Sequence, residues 1–166
     1  MVSGKTPKTS KWNELVALAC DHTGFAYKSA LIPKLEEQGY EITDLGVFSE
    51  EPADYPDLAA KMAEALRSGR ARRGILICGS GVGVSVAANK FSGIRAGICH
   101  DCYSAHQGVS HDDINVLCLG SRVLGFELAW EIIKTFLKAR FGGKERHKRR
   151  LEKLDAIERA NMKNNG

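Results

Sequence analysis

One stretch of the sequence, residues 74–90, combines an apolar run, a thiol and alternating glycines. The run ends at Cys78, and Gly79, Gly81 and Gly83 follow before helix-forming residues begin. This order is typical of a buried parallel strand that turns tightly into a helix. The glycines let a ligand approach the backbone, and the free N–H groups of a new helix favour negative charge beside the thiol. The stretch therefore predicts an anion-binding loop with a candidate cysteine base or nucleophile, the alternative being a buried cysteine beside a packing turn.

Three common glycine-rich loops do not fit this stretch. The phosphate loop of nucleotide triphosphatases requires a Lys-Ser or Lys-Thr pair at a set spacing, and the sequence lacks it. The dinucleotide fingerprint is incomplete because Val84 stands at its third glycine. A thiol phosphatase would need an arginine after its cysteine to clamp the phosphate, and residues 79–84 contain none. A site for a small anion or small molecule remains.

Strands alternate with helices along the whole chain. The predicted strands are 15–19, 40–45, 75–78, 94–99 and 115–119. The predicted helices are 25–38, with Pro33 kinking or splitting it, then 57–66, 83–90, 104–110, 125–140 and 144–161. This alternation predicts a three-layer α/β/α, Rossmann-like domain with a five-stranded parallel sheet and an extra C-terminal helix. Residues 1–12 are predicted to be a disordered tail and residues 13–162 a single domain.

Charge and composition narrow the classes of partner. The net charge of +4 is uneven, since residues 1–11 contribute +3 and residues 138–166 contribute +6, which leaves the middle at −5. An acidic body and a basic last helix without aromatic residues do not suit nucleic acid. The sequence has no apolar run long enough for a membrane span and no secretion signal, so neither a membrane partner nor export is expected. The five cysteines, which are Cys20, Cys78, Cys99, Cys102 and Cys118, are therefore expected to be reduced in the cytoplasm.

Ligands of open parallel sheets bind beyond the carboxyl ends of the strands. In this sequence those positions are rich in acid–base groups. They are residues 20–22, the loop leading to Tyr55, and residues 78–83, 99–101 and 120–122. The rule therefore predicts a site at this edge of the sheet. No metal is expected there, because Cys99 and Cys102 form a lone CxxC pair without the second pair of a zinc site.

The residues at these positions resemble the ribose-5-phosphate isomerase B group, which also includes galactose-6-phosphate isomerase subunits. The resemblance covers about residues 14–157. It is carried by Cys20-Asp21-His22 with Gly24, Asp54-Tyr55-Pro56, residues 74–90, His111 with Asn115, Gly120-Ser121-Arg122, and Arg146-His147 with Arg150. It implies an aldose–ketose isomerase that needs no cofactor and converts ribose 5-phosphate to ribulose 5-phosphate. The same chemistry on another sugar phosphate of four to six carbons is the alternative.

The resemblance also implies the catalytic roles. Cys78 is the base that moves a proton between C1 and C2 through an enediolate, and Ser80 hydrogen-bonds the reacting oxygens or passes protons between them. His111, assisted by Asp21, opens the sugar ring. Backbone N–H groups stabilise the developing oxyanion. The loop residues that supply them are Gly79, Ser80, Gly81, Val82 and Gly83.

The phosphate-binding residues are implied in the same way. His22, Arg146 and Arg150 hold the phosphate, and Tyr55 and Arg122 line the site. The spacing supports one part of this, because residues four apart on a helix share a face and can reach one phosphate.

Asp112 departs from the family pattern. Relatives that act on ribose 5-phosphate commonly carry asparagine directly after the histidine. An amide can donate a hydrogen bond to a sugar hydroxyl and an ionised carboxylate cannot. Asp112 is expected to contact the substrate, and this contact would differ from the one in those relatives. The identity of the sugar is therefore left open.

The resemblance further implies a homodimer whose site is shared between subunits. The last predicted helix, 144–161, carries phosphate ligands but has only a thin apolar stripe of Leu151, Leu154 and Ile157. It is therefore expected to dock on a partner subunit, and whether dimers pair into tetramers is left open.

Two other classes of protein fit these residues less well than an isomerase does. A non-catalytic sugar-phosphate sensor would have no reason to keep Cys78, Asp21 and His111 together. A nucleotide-binding oxidoreductase would need the completed dinucleotide fingerprint and a ribose-binding acid after the second strand. The sequence therefore favours an enzyme.

Overall fold

The computed structural model describes residues 15–162, so the predicted tail at residues 1–12 lies outside the described residues. The strands are β1 (Leu15–Cys20), β2 (Glu41–Asp44), β3 (Arg73–Cys78), β4 (Ala96–Ile98) and β5 (Val116–Gly120). The helices are α1 (Phe25–Glu37), α2 (Tyr55–Arg67), α3 (Val82–Ala88), α4 (Cys102–Asp112), α5 (Phe126–Lys138) and α6 (Glu145–Met162). A short 3-10 turn, His22–Gly24, precedes α1. Among residues 15–162, no helix is long and apolar enough to cross a lipid bilayer.

The five strands form one parallel sheet in the order β2-β1-β3-β5-β4. The predicted fold class is thereby confirmed. β3 is the central strand, with β1 and β5 on either side, and its last residue Cys78 lies opposite Gly120. The carboxyl end of β3 is therefore enclosed by the loops that follow its two neighbours.

Both faces of the sheet are covered, as a parallel sheet requires. Side chains alternate along β3, so that Ile75 and Ile77 pack on the face covered by α1, α4 and α5. Leu76 and Cys78 pack on the opposite face, against α2 and α3. All four side chains are at most 5% exposed. The apolar run of β3 thus holds the two helical layers on one central strand.

The helix boundaries differ from the sequence prediction by at most two residues, and the start of α2 is the difference that affects the site. Tyr55 was expected in the preceding loop, but α2 begins at Tyr55. The helix can start there because Pro56 stands in its first turn, where a missing backbone N–H breaks no hydrogen bond. Pro33 lies inside α1, which continues to Glu37, so the helix is not split there. Tyr55 is therefore held by a helix terminus and not by a loose loop.

Candidate active site

Cys78 ends β3 with its sulfur turned into the glycine-rich loop. The side chain is 5% exposed, and its Sγ accepts a hydrogen bond from the Gly81 N–H at 3.1 Å. Gly81 reaches this position with φ +80°, a left-handed conformation that favours glycine. We call residues 78–83 the thiol loop. Its backbone places a donor directly on the sulfur.

The other buried thiols have different surroundings. Burial raises the pKa of the Cys20 and Cys99 thiols to about 11, and it raises the pKa of Cys118 further. These three thiols are protonated at neutral pH, which makes them poor bases. All five cysteines are free.

Hydrogen bonds tie the thiol loop to the loop after β5, and that loop in turn to the segment after β1. The Ser121 N–H donates to the Cys78 carbonyl at 2.8 Å, and the Arg122 N–H donates to the Gly79 carbonyl at 3.0 Å. The Ser121 hydroxyl donates to the Thr23 carbonyl at 2.9 Å. Three strand-end loops therefore form one connected unit around Cys78.

Gly120 permits this close approach. A Cβ atom added at Gly120 would lie 2.8 Å from the carbonyl carbon of Ser80, which is backbone and cannot swing aside. We therefore expect Gly120→Ala to lower the free energy of unfolding by about 1–3 kcal/mol, measured by urea denaturation. Gly125→Ala is the matched control, because nothing lies within 4 Å of its added Cβ. Equal losses of stability in the two variants would contradict this account.

Two side chains lie directly against glycines of the thiol loop. A Cβ added at Gly83 would lie 3.0–3.1 Å from ring atoms of Tyr55, and one added at Gly79 would lie 3.5 Å from Cδ of Arg122. The two glycines therefore leave room for the two side chains. The structure brings Tyr55 and Arg122 to the thiol loop, where the family resemblance implied that they line the site.

Asp21 and His22 lie at the same edge, directly after β1. Asp21 is 8% exposed, and its Oδ1 accepts hydrogen bonds from the Thr23 N–H at 2.9 Å and the Thr23 hydroxyl at 2.6 Å. The Asp21 N–H donates to the Ile77 carbonyl at 3.0 Å, one residue before Cys78. His22 accepts a long hydrogen bond of 3.4 Å at Nδ1 from the Ala53 N–H.

Thr23 and His100 also belong to this edge; His100 is among the strand-end positions predicted from the sequence, whereas Thr23 was given no role there. The Thr23 hydroxyl would lie 3.6 Å from a Cβ added at Gly79, and the Gly120 N–H donates to His100 Nε2 at 3.2 Å. The sequence indicates both positions, because Thr23 follows Asp21 and His22 after β1 and His100 follows β4. We call the residues gathered at the carboxyl ends of the strands the carboxyl-edge cluster: Asp21, His22, Tyr55, residues 78–83 and Arg122.

The remaining predicted site residues lie elsewhere in the chain. α4 starts beyond the carboxyl end of β4 and returns the chain to the amino end of β5, so it runs antiparallel to the strands. His111 stands in its last turn, about 14 Å along the helix axis from Cys102. The ring of His111 lies 4.2 Å from that of His147 in α6. His111 therefore lies towards the amino edge of the sheet, opposite Cys78 and Asp21.

The start of α6 lies beside His111. The Gly142 N–H donates to the Ser110 carbonyl at 2.9 Å, and Arg146 Nε donates to His147 Nε2 at 3.0 Å. We call this second group the amino-edge cluster: His111, Asp112, Arg146, His147 and Arg150. Except for His147 and His111, its members are exposed.

Asp112 lines a groove of about 570 Å³ between α6 and the segment around β4. No residue that lines this groove belongs to the thiol loop. The expected site residues thus divide into two clusters at opposite edges of the sheet. Among residues 15–162, no group of three or more His, Cys, Asp or Glu side chains is arranged to hold a metal ion.

The fold and the carboxyl-edge cluster define a class: a parallel-sheet α/β protein with a buried thiol held at the end of its central strand. Residues 16–154 match the family model described as Ribose/Galactose Isomerase. The chain belongs to this family, and it is an isomerase.

Its relatives agree with this assignment. The chain is 48% identical over 143 residues to ribose-5-phosphate isomerase B of Escherichia coli, covering 86% of this chain and 95% of the relative. It is 40% identical to D-erythrulose-4-phosphate isomerase of Pectobacterium atrosepticum, covering 77% and 85% of the two chains. The solved structure of Clostridium thermocellum ribose-5-phosphate isomerase B superposes with a TM-score of 0.85 at 45% identity, covering 87% of this chain and 97% of that one.

Proposed function

We propose that this isomerase interconverts ribose 5-phosphate and ribulose 5-phosphate, with Cys78 as the base that moves a proton between C2 and C1. The observation that carries the proposal is the buried Cys78 sulfur with the Gly81 N–H on it, at the edge of the sheet where parallel-sheet ligands bind. The ribose-5-phosphate isomerase B relatives support the choice of sugar.

Two residues of the thiol loop, Cys78 and Ser80, can carry out all the proton transfers of the isomerisation. The Cys78 thiolate removes the proton from C2 of the open-chain aldose, and the electron pair of that bond forms the C1–C2 double bond of an enediolate. Ser80 passes a proton between the two oxygens, and the Cys78 thiol returns its proton to C1. The product is the ketose, with no net gain or loss of protons or electrons.

The hydrogen bonds of the loop specify which donors are free for the oxyanion. The Gly81 N–H is used by the Cys78 sulfur, and the Val82 N–H donates to the Ser80 hydroxyl oxygen at 3.3 Å. The Ser80 oxygen accepts that bond, so its own proton is free to donate to the substrate. Gly83 lies in the first turn of α3, where a backbone N–H has no intrahelical acceptor. The Ser80 hydroxyl and the Gly83 N–H are therefore two of the donors that we assign to oxyanion stabilisation.

The active site of the proposal is shared between two copies of the chain. Within one chain, Cys78 and Asp21 lie at one edge of the sheet, while His111, Arg146 and Arg150 lie towards the other. Ring opening by His111 and phosphate binding by the two arginines then require the amino-edge cluster of a second copy. That cluster would meet the His22 and Cys78 of the first copy, which completes one site from two chains.

Exposed apolar side chains support a contact between copies beside the thiol loop. Val82 and Val86 on α3 are 52% and 56% exposed, and Tyr103 at the start of α4 is 71% exposed. Ile98 on the edge strand β4 is 39% exposed. Exposed apolar groups of this kind mark protein interfaces. We propose a homodimer on this basis, and the free thiols of the chain suit a cytoplasmic location.

A panel of phosphorylated sugars tests the substrate. We expect the purified protein to interconvert ribose 5-phosphate and its ketose with a higher kcat/KM than it shows for galactose 6-phosphate or, in the ketose-to-aldose direction, for erythrulose 4-phosphate. Asp112→Asn is the informative variant, because an amide could donate to a sugar hydroxyl and the carboxylate cannot. A preference for another sugar phosphate would keep the chemistry and reassign the substrate. No turnover of any sugar would contradict the proposal.

A further inference from the structure

His147 is buried on an otherwise exposed helix. Across residues 145–161 of α6 it is the only buried residue, with 1% of its surface exposed, and both sequence neighbours are exposed. A helix that is polar on nearly all sides has no general tendency to bury a histidine. The burial of His147 therefore calls for a local cause.

The His147 side chain contacts His111, Phe141 and Arg146. Its ring lies 4.2 Å from that of His111, tilted by 34°, and 6.5 Å from that of Phe141. Its Nε2 accepts a hydrogen bond from Arg146 Nε at 3.0 Å. Its Nδ1 is buried and has no partner among the described residues.

These contacts define the protonation state of the ring. Arg146 can only donate, so Nε2 of His147 must be an acceptor, and the single ring proton sits on Nδ1. A charged imidazolium would present a proton at both nitrogens and would lose this hydrogen bond. The arrangement therefore requires neutral His147.

The groups around His147 favour the same state. His111 faces it from α4, and Arg146, Lys144 and Arg150 face it from its own segment. Burial, together with these positive or protonatable neighbours, lowers the pKa of His147 below its ordinary value of 6.5. Its pKa is therefore below neutral pH, and protonation on acidification would release Arg146.

We propose that His147 is a positioning residue that holds the guanidinium of Arg146 and the ring of His111 in one fixed arrangement. His147 Nε2 accepts from Arg146 Nε and leaves the terminal Nη groups of Arg146 free. Guanidinium groups bind phosphate through such paired N–H donors. Its ring packs on His111 and limits how that ring can turn. The inference rests on the proposed function in taking Arg146 as a phosphate ligand.

Binding of inorganic phosphate by titration calorimetry tests this without requiring turnover. Four proteins form a cycle: wild type, His147→Phe, Arg146→Ala and the double variant. His147→Phe keeps a ring of similar size and removes the acceptor. We expect it to weaken phosphate binding by about tenfold, as for loss of a hydrogen bond to a charged group. In the Arg146→Ala background the same change should have almost no further effect, because His147 acts through Arg146.

His147→Gln provides the conservative rescue. Its amide oxygen can accept from Arg146 Nε, so we expect phosphate affinity within about threefold of wild type. Glutamine cannot take up a proton, so below pH 6.5 wild type should lose more affinity than His147→Gln does. Thermal melting checks that each variant folds, and His147→Leu replaces His147→Phe, with the same expectation, if the larger ring is not accommodated.

The outcomes separate this inference from the proposed function. Equal phosphate affinities in wild type and His147→Phe, equal losses in the Phe and Gln variants, or additive losses in the cycle would each overturn the positioning role. An intact cycle in a protein that converts no sugar phosphate would overturn the proposed function alone. Absence of phosphate binding by wild type would overturn the positioning role, while turnover of the sugar panel would still decide the proposed function.

Discussion

Cys78→Ala is expected to lower kcat for sugar-phosphate isomerisation by about 10²–10⁴-fold, the contribution typical of a positioned acid–base group. Alanine keeps the Cβ packed at the end of β3 and removes only the sulfur that accepts the Gly81 N–H. Binding of ribose 5-phosphate, measured by calorimetry, should therefore change by only a few-fold. This split between turnover and binding identifies a base and not a binding group.

Cys78→Ser and Cys99→Ala sharpen the test. Serine can accept the same Gly81 N–H but is a far weaker acid than a thiol, so we expect this variant to be as inactive as Cys78→Ala. Cys99 is another buried cysteine beside a strand end, 4% exposed, with its pKa raised to about 11. Its replacement by alanine should leave kcat nearly unchanged. Turnover retained in Cys78→Ala, or an equal loss in Cys99→Ala, would remove Cys78 from the mechanism.

Two inactive variants are expected to restore activity when they share a dimer. In a dimer of one Cys78→Ala chain and one His111→Ala chain, one site combines both substitutions, while the other combines the intact Cys78 and the intact His111. Chains that are co-expressed with two different tags and purified on both should therefore show about half of the wild-type rate per dimer. The physical reason is that the two residues lie at opposite edges of the sheet within one chain.

Asp21→Ala supplies the matched control for complementation. Asp21 and Cys78 lie at the same edge of one chain, joined through the hydrogen bond from the Asp21 N–H to the Ile77 carbonyl. A mixed dimer of Cys78→Ala and Asp21→Ala would thus carry one defect in each site, and we expect no recovery. Recovery in this control, none with His111→Ala, or failure to capture a doubly tagged dimer would each refute the shared site.

Local sequence was sufficient for the parts of the site that lie next to each other in the chain. The apolar run of β3 and the glycines after Cys78 predict a strand, a tight turn and a helix, because burial and φ preference act over a few residues. The structure has this order, with Gly81 in the left-handed conformation. The rule on strand ends likewise gathered Asp21, Tyr55 and Arg122 around the thiol loop.

Boundary errors have local causes that compete with periodicity. Tyr55 was expected in a loop, because apolar periodicity begins after it, yet the first turn of α2 accommodates Pro56 and draws Tyr55 into the helix. Pro33 was expected to kink or split α1, and the structure contradicts a split, because the helix continues through it to Glu37. Leu31 and Leu35 on either side of Pro33 are fully buried, and that packing outweighs the hydrogen bond that proline lacks.

The sequence by itself thus determined the fold class, the family and the residue types available for proton transfer and phosphate binding, since patterning and motifs are properties of neighbouring residues. Only the tertiary structure decided how those residues are distributed in space. The direction in which α4 returns to β5 separates His111 from Cys78, and the packing of α6 against α4 buries His147 between His111 and Arg146. The contact between α4 and α6 joins segments far apart in the chain, which no local pattern encodes.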